Sequence, residues 1–446
     1  MQTATLSSGF VAEAADRQEK RRRAITGAVF SEFIDMFDIY LPTVVLSPVL
    51  FYFQPAQLDP SEQAIFASLV FITTLLGRPV GALAFGVVAD SFGRRMASIT
   101  SVAGFGLITL LIAFIPGYRQ IGIASYWLLV VLRFLDGICL GGGYTGAHPL
   151  AIEYSAKEQR GFTGGLIISA FPVAYVAITL VAMLMFALFP LDGMDSPYAV
   201  WGWRIPFIIG SLLAFVLMFY YIFKVSESEV WQTDTEGKRE KTPLSELFTG
   251  PSARNLSQVL IMMTGFWLTQ NIITIFIPTT LLLHSLKLSK YALTSTLLIS
   301  YTALFFSYIA SGMIGQRIGR RTFFVVVGPL IAVIGSAILY YLIRTPDLSL
   351  GAIMALVCVL SILVTSPWGV IVTYINERFI TDVRATGFGI GFSLSVIIPS
   401  FYAFYMNWLG AVMPFDLTPV FLLAIGAIIG TIGAAMGPET KDVDFH

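Results

Sequence analysis

The sequence predicts an all-α integral membrane protein, with twelve transmembrane helices in two six-helix repeats around a central cavity. Of the 446 residues, 56% are hydrophobic and only 12% are charged, and the mean hydropathy is +0.79. A soluble domain carries about 25% charged residues. Twelve stretches are apolar over the ~20 residues that a helix needs to cross a bilayer. Two short motifs of the first half also recur in the second half, which predicts the repeat.

The twelve predicted spans leave little chain outside the bilayer. They cover residues 24–50, 62–88, 97–115, 123–152, 162–189, 201–224, 256–283, 291–315, 322–343, 350–376, 385–409 and 415–437. The longest polar connection contains "SESEVWQTDTEGKREKTP" and is typical of a linker. We therefore expect five parts: a cytoplasmic N-terminal tail (1–23), an N-terminal six-helix bundle (24–224), a cytoplasmic linker (225–255), a C-terminal six-helix bundle (256–437) and a cytoplasmic C-terminal tail (438–446).

The distribution of basic residues predicts the orientation in the membrane. Lys and Arg outside the spans concentrate on the side that carries both termini, and cytoplasmic loops carry such an excess. The N-terminus lacks the short apolar core and small-residue cleavage site of a signal peptide. Cys139 and Cys358 both fall inside apolar spans, so no disulfide framework is expected. We expect a multi-pass protein of the cell membrane, the inner membrane in a bacterium, with both termini in the cytoplasm.

Two motif pairs carry the internal repeat. "GVVADSFGRR" (Gly86–Arg95) recurs as "GMIGQRIGRR" (Gly312–Arg321), each in the turn between the second and third helix of its half. "EYSAKEQRG" and "ERFITDVRATG" end the fourth and tenth helices and recur at nearly the same offset. Two unrelated motifs at one offset predict two halves of the same topology. Secondary transporters use repeats of this kind to build a site at the interface of the halves.

The same residues carry a family resemblance. The pattern G-x-x-x-D-[RK]-x-G-R-[RK], with Arg133 and Gly137 in the fourth helix, resembles the major facilitator superfamily over essentially the whole chain. "GRPVGALAFGVVADSFGRR", "WGWRIPF" and "VSESEVW" resemble its metabolite:proton symporters, and "DMFD" resembles the aromatic-acid:proton symporters. The resemblance implies the major facilitator fold and alternating access. Ser91 and Gln316 depart from the motif, which usually has a basic and an acidic residue there, and the departures predict a weaker charge relay.

Charged residues at the repeated helix ends are candidates for a cytoplasmic gate. They can pair with neighbouring helices and hold one face of the bundle shut. Alternatively, the basic residues only set the topology, and the glycines only permit tight turns. The predicted gate consists of Asp90, Arg94, Arg95, Glu153, Arg160, Arg317, Arg320, Glu377 and Arg384.

Ionisable residues inside the predicted spans are candidates for proton coupling, because a charge in the bilayer is costly and marks function by default. Counted from the helix ends, Asp38 lies roughly 20 Å deep and on the same level as Arg133. The carboxylates outnumber the arginines, an imbalance that proton binding relieves. In the proton-coupled sugar porters that the chain resembles here, an aspartate of the first helix pairs with the arginine of the fourth until a proton binds. The proton-coupling set is Glu32, Asp35, Asp38, Arg133 and Asp136. A permanent salt bridge is the alternative, and Glu32 could belong to the gate instead.

Arg78 carries the substrate prediction. A guanidinium grips a carboxylate with two parallel hydrogen bonds, so Arg78 predicts an anion site if it is free, and no substrate role if it only neutralises Asp35 or Glu32. Further candidates share helix faces that could line a cavity, although packing between helices is the alternative for each of them. The predicted substrate-binding set is Arg78, Tyr144, His148, Trp267, Gln270, Asn271 and Trp368, the last within "SPWG", which predicts a break in the tenth helix.

The expected function is secondary active transport, namely proton-coupled uptake of a small organic anion such as a carboxylate. The alternatives are a carrier or exchanger of a neutral or zwitterionic solute, and a membrane sensor that does not transport. The sequence contains no metal-ligand spacing, phosphate loop or hydrolase elbow. We therefore expect no enzymatic activity, catalytic residue, metal site or cofactor. The expected partners are the substrate, protons and the lipid bilayer, without nucleic acid, and the protein is expected to be a monomer.

Overall fold

The described residues form twelve helical segments long and apolar enough to cross a membrane. A computed structural model describes residues 2–55, 60–235 and 243–445. The segments are α1 (Ala15–Tyr52), α2 (Leu69–Phe92), α3 (Arg94–Ala113), α4 (Ala124–Glu153), α5 (Lys157–Leu188), α6 (Tyr198–Lys224), α7 (Gly250–Ser285), α8 (Tyr291–Ile318), α9 (Arg320–Arg344), α10 (Leu350–Arg378), α11 (Thr381–Gly410) and α12 (Phe415–Ala435). We call α1–α6 the N-half and α7–α12 the C-half.

The prediction of twelve spanning helices is confirmed, but the predicted boundary at residue 24 is not a helix start. One continuous helix runs from Gln2 to Leu41. The connection between the halves holds short helices at Glu229–Thr235 and Pro243–Leu247. Its residues 236–242, part of the predicted linker, lie outside the described residues.

Proline interrupts several of the spans, because it lacks the N–H that the regular helix needs. α1 continues beyond Leu41 as a wider turn (Pro42–Leu46) and then a tighter one (Ser47–Tyr52). The outer part of α7 (Ile272–Ser285) is widened around Pro278. α10 breaks into Leu350–Thr365 and Trp368–Arg378, as "SPWG" predicts. The last break turns Trp368 toward the centre of the molecule, where it lines the cavity described below.

Close helix packing holds each half together. In the N-half, α4 packs against α2 and α3, and in the C-half α7 packs against α12. Gly141 of α4 lies directly on the backbone of Arg78, where a Cβ has no room. Within a membrane, small residues of this kind let helices approach and gain van der Waals contact. The two halves meet where α5 packs against α8 and α10, and where α2 packs against α11.

The two repeated motifs fold alike at one end of the bundle, which we call the motif face. It comprises the α2–α3, α4–α5, α8–α9 and α10–α11 turns. Gly93 and Gly319 adopt φ of 110° and 107°, a region that favours glycine. Each precedes a helix whose first backbone N–H groups donate to a carboxylate, Glu227 at Arg94 (2.9 Å) and Glu439 at Arg320 (2.6 Å). An acid at a helix N-terminus complements the helix dipole.

Candidate functional site: a central cavity behind a closed face

A cavity of about 100 Å³ lies between the two halves. Both halves supply polar and aromatic side chains to its wall, so a solute held there would contact both. This arrangement is the one that alternating access requires. The polar and aromatic lining residues are Glu32, Tyr40, Phe71, Arg78, Phe171, Trp267, Gln270, Asn271, Thr274, Tyr308, Trp368, Phe392 and Ser400.

Arg78 is paired in this conformation. Its Nη2 donates to Oδ2 of Asp35, and both side chains are buried. The guanidinium carbon also lies 4.9 Å from the ring centroid of Tyr144. Of the two alternatives for Arg78, neutralisation of Asp35 therefore describes this state. The Nε of Arg78 nevertheless has no hydrogen-bond partner among the described residues, so the guanidinium retains a donor.

In the C-half wall of the cavity, some polar side-chain atoms are hydrogen-bonded within the protein and others are not. Trp267 donates from Nε1 to the carbonyl of Phe392 (3.0 Å), and Asn271 donates from Nδ2 to the carbonyl of Pro399 (2.8 Å), so both hold α7 against α11. Within the described chain, Oε1 of Gln270 and Nε1 of Trp368 have no hydrogen-bond partner. Buried polar groups normally have one, so these two atoms are available to a solute.

Three rings form an edge-to-face group at the cavity, which we call the aromatic corner: Trp267, Trp368 and Phe392. The centroids of the two tryptophans are 4.4 Å apart at 69°, and those of Trp368 and Phe392 are 5.8 Å apart at 83°. The negative faces of such rings attract cations. Phe392 carries no polar signal in the sequence and was not predicted as a site residue.

A second charged group lies behind the cavity in the N-half, and we call it the inner cluster: Asp38, Thr109, Arg133 and Asp136. Nη1 of Arg133 donates to Oδ2 of Asp38 and to Oδ2 of Asp136, each at 2.8 Å. The hydroxyl of Thr109 donates to Oδ1 of Asp136 at 3.3 Å. All four side chains are fully buried and none lines the cavity. The common depth predicted for Asp38 and Arg133 agrees with this contact, whereas Thr109 was not predicted.

Tyr144 and His148 do not line the cavity, contrary to the prediction. Both are buried, and both pack against α11: the His148 ring lies 5.4 Å from Phe388, and the Tyr144 ring lies 5.2 Å from Phe392. The shared helical arc did not identify the α11 residues that cover them. Nε2 of His148 lies 3.3 Å from Oε2 of Glu32, and Glu32 itself lines the cavity.

At the motif face, Asp90, Arg94, Glu153, Arg384 and Thr386 form what we call the first gate cluster. Asp90 of the N-half accepts from the backbone N–H groups of Ala385 (3.1 Å) and Thr386 (2.9 Å), and from the Thr386 hydroxyl (2.5 Å). Nη1 of Arg384 in the C-half donates to Oε1 of Glu153 at 2.6 Å. Nη2 of Arg94 donates to the carbonyl of Thr381 at 2.7 Å. These bonds join the halves directly.

The equivalent positions form the second gate cluster: Arg160, Gln316, Arg320 and Glu377. The backbone N–H of Gly161 donates to Oε1 of Gln316 at 2.9 Å, and Nη2 of Arg320 donates to the same oxygen at 2.7 Å. Arg160 reaches Glu377 only at 3.8 Å. Gln316, the departure from the motif, thus still joins the halves, but with an uncharged oxygen.

C-terminal residues cover the second gate cluster. Nη1 of Arg160 donates to the carbonyl of Val443 at 2.6 Å. The Phe445 ring contacts two guanidinium groups: its centroid lies 3.6 Å from the guanidinium carbon of Arg160 and 4.0 Å from that of Arg384. The C-terminal segment therefore bridges the halves, a contact that the sequence did not predict.

Two predicted gate residues do not join the halves. Arg95 donates to the carbonyls of Tyr221 and Ile222 within the N-half. Arg317 is exposed, and in the described part of the chain no hydrogen bond or ion pair links it to the N-half. Glu227, which was not predicted, accepts from the backbone of Arg94 and Arg95. Burial raises the pKa of the Glu227 carboxyl, and these backbone donors oppose that rise.

The hydrogen bonds and ion pairs between the halves that we describe all lie at the motif face. They involve α2, α4 and the starts of α3 and α5 on one side, and the ends of α8 and α10, the start of α11 and the C-terminal residues on the other. The cavity is therefore closed toward the motif face.

Comparison with known proteins gives a consistent result. The family model for the Major Facilitator Superfamily matches residues 28–403. The "Proline/betaine transporter" of Salmonella typhimurium is 27% identical over 95% of this chain and 84% of its own length. The "Alpha-ketoglutarate permease" of Escherichia coli is 27% identical over 84% of this chain and 85% of its own. The solved structure of the proton:xylose symporter XylE superposes with a TM-score of 0.75 at 17% identity, over 96% of this chain and 98% of that chain.

Proposed function

Because the chain belongs to the major facilitator superfamily of membrane transporters, we propose that it takes up a small organic anion, a carboxylate, together with a proton. Its named relatives are transporters and not enzymes. The observation that carries the proposal is the buried Arg78–Asp35 ion pair at a cavity whose wall also contains Glu32. The Arg78 guanidinium can bind a carboxylate, and its charge is balanced by Asp35, which a proton can neutralise.

The charge balance explains why the two solutes would enter together. Arg78 and Arg133 are the arginines of the cavity wall and inner cluster, and they face the four carboxylates Glu32, Asp35, Asp38 and Asp136. An added anion would be repelled by the excess negative charge. A proton on one carboxylate removes one unit of that charge and frees guanidinium donors for the substrate. Proton and anion then load the cavity without changing its total charge.

The inner cluster supplies the coupling step in this proposal. Asp38 and Asp136 share one guanidinium group of Arg133 at equal distances of 2.8 Å. Protonation of Asp38 leaves Arg133 paired with Asp136 alone and releases α1, on which Glu32 and Asp35 also lie. A permanent salt bridge would make Asp38 purely structural, and its replacement would then lower stability without changing the pH dependence of transport.

The gate clusters complete the cycle. The distribution of Lys and Arg supports a cytoplasmic motif face, so this conformation would be the one that receives solute from outside. Opening requires the gate contacts of Asp90, Glu153 and Arg384 to break while the opposite end closes. Movement of one half against the other around a fixed central site is how such repeats transport.

A zwitterionic solute is the second candidate. The aromatic corner offers ring faces to an ammonium group, and Glu32 at the same cavity adds a negative charge. One relative, a proline/betaine transporter, agrees with this candidate, whereas another, an alpha-ketoglutarate permease, agrees with the organic anion.

Ligand-induced thermal stabilisation of the purified protein tests the proposal, because a ligand that binds only the native state raises apparent stability. The probes are 2-oxoglutarate, simple monocarboxylates, glycine betaine and xylose, each at about pH 5.5 and 7.5. We expect stabilisation by a carboxylate, stronger at the lower pH and lost in R78A. D347N, which removes an exposed carboxylate, is the control and should behave as wild type. Stabilisation by betaine alone would favour the second candidate, and stabilisation by xylose alone would contradict both.

A further inference from the structure

We infer that Glu32 and His148 form a proton-entry pair at the cavity, distinct from the inner cluster, and that α1 passes protons from this pair to Asp38. The inference rests on the proposed proton coupling and specifies its route. Glu32 lines the cavity, whereas Asp38, Arg133 and Asp136 are fully buried behind its wall. A proton that arrives through the cavity therefore meets Glu32 first.

Glu32 and His148 are in contact, but the contact does not have hydrogen-bond geometry. Oε2 of Glu32 and Nε2 of His148 are 3.3 Å apart, and both side chains are buried. Neither of these atoms, nor Nδ1 of His148, has a hydrogen-bond partner in the described residues. Buried polar atoms are rarely left unpaired. One added proton makes the imidazole cationic and turns the contact into an ion pair between opposite charges.

The surroundings of the pair suit a group that gains and loses a proton. Asp35 lies on the same helix, Arg78 comes from α2, Tyr144 from α4 and Tyr308 from α8, and each acts electrostatically on Glu32 or is acted on by it. Arg78 is the only cation among these groups, and Asp35 already holds it. A protonated His148 would therefore supply the positive charge beside Glu32. Imidazole suits this role because it is the side chain that changes charge near neutral pH.

Three carboxylates on α1 connect the pair to the inner cluster. Glu32, Asp35 and Asp38 are spaced three residues apart, which puts successive side chains on one helix face about 4.5 Å apart along the axis. Asp35 interacts electrostatically with both of the others. A proton held between Glu32 and His148 can pass to Asp35, which then releases Arg78, and from Asp35 to Asp38, which then releases Arg133. Each transfer restores the preceding carboxylate.

Infrared difference spectroscopy of the full chain tests the route without a substrate. Spectra at about pH 5.5 and 7.5 record bands of protonated carboxyl groups and of the imidazole that change between them. We expect E32Q to remove one carboxyl band that wild type shows. H148Q, which removes the imidazole in contact with Glu32, should change that band. D38N should remove a different band. D347N, which loses an exposed carboxylate, should match wild type.

The outcomes separate this inference from the proposed function. If E32Q and H148Q both reproduce the wild-type spectra while D38N does not, protons reach the inner cluster without the pair and the inference is wrong. Should E32Q fail to fold, as judged by thermal unfolding, H148Q and H148N still test the pair, since both keep Glu32. Stabilisation by none of the carboxylate or betaine probes, with the Glu32 band intact, would remove the proposed substrates and leave the proton pair standing.

Discussion

The two gate clusters occupy equivalent places in the two halves, yet they hold the motif face shut by different means. In the first cluster, the Asp90 carboxylate accepts three hydrogen bonds from α11, and Arg384 contacts Glu153 at 2.6 Å. In the second, the Gln316 amide accepts one inter-half bond, and Arg160 lies 3.8 Å from Glu377. The first cluster relies on charge, whereas the second relies on a neutral acceptor and on the C-terminal residues.

The difference shows that one copy of a repeated motif can replace its acidic residue and still keep the hydrogen bonds made at that position. Gln316 keeps the bonds to Gly161 and Arg320 that an acid would make. The carbonyl of Val443 and the ring of Phe445 then supply contacts to Arg160 that the weak ion pair with Glu377 does not. We therefore expect substitutions in the first cluster to open the motif face more than substitutions in the second. Ala385 is fully buried in this closed state. In the variant A385C, the rate at which the engineered cysteine is alkylated therefore measures opening of the motif face.

E153Q is expected to have the largest effect. Glu153 contacts both Arg94 and Arg384, and all three side chains are buried. Removing one partner of a buried ion pair costs about 3–5 kcal/mol, because the remaining charges lose their compensation. The A385C alkylation rate should rise by two orders of magnitude or more. E158Q, at a neighbouring exposed position, is the control. An unchanged rate in E153Q would show that Glu153 does not hold the face shut.

D90N should have the next largest effect. The amide keeps one acceptor oxygen but loses the charge that strengthens its bonds to Ala385 and Thr386, and hydrogen bonds to charged groups contribute about 1.5–3 kcal/mol. We expect a rise of at least tenfold in alkylation rate. T386V removes only the hydroxyl donor to Asp90 and should fall between wild type and D90N. A larger effect for T386V than for D90N would contradict the assigned role of the charge.

F445A tests the contribution of the C-terminal segment to the second cluster. The ring contacts two guanidinium groups, and each such contact is worth about 0.5–2 kcal/mol. The alkylation rate should rise severalfold, and F445W should restore it, whereas F445L, which keeps bulk but no ring face, should not. Equal rates in F445L and wild type would assign the contact to packing and not to the cation–π interaction.

Q316E should have the smallest effect and the opposite sign. The carboxylate would strengthen the bonds from Gly161 and Arg320 by about 1 kcal/mol and make the two clusters alike in charge. We expect slower alkylation of A385C and a higher thermal unfolding midpoint. Faster alkylation in Q316E would mean that Gln316 is preferred because an acid there would repel Glu377.

Groups whose positions follow from a single helix could be predicted from the sequence, whereas groups whose surroundings depend on a distant segment of the chain could not. Counting residues from two helix ends put Asp38 and Arg133 at one level, and the ion pair agrees. The helical arc could not show that α11 covers Tyr144 and His148. Phe445 carries no motif, and its partners Arg160 and Arg384 lie far away in the chain. Arg95 and Arg317 share the gate motif, yet Arg95 bonds within its own half and Arg317 is exposed, a difference that spacing alone does not encode.

Solute accumulation by proteoliposomes under an imposed pH gradient tests proton-coupled uptake most directly. The purified chain is reconstituted, the outside is made acidic, and labelled 2-oxoglutarate and glycine betaine are supplied as probes. We predict that at least one of these two carboxylate-bearing probes accumulates and that an uncoupler abolishes the accumulation. In D38N, uptake should fall to exchange that does not depend on the pH gradient. Accumulation that is unchanged by the uncoupler and by D38N would contradict proton coupling through the inner cluster.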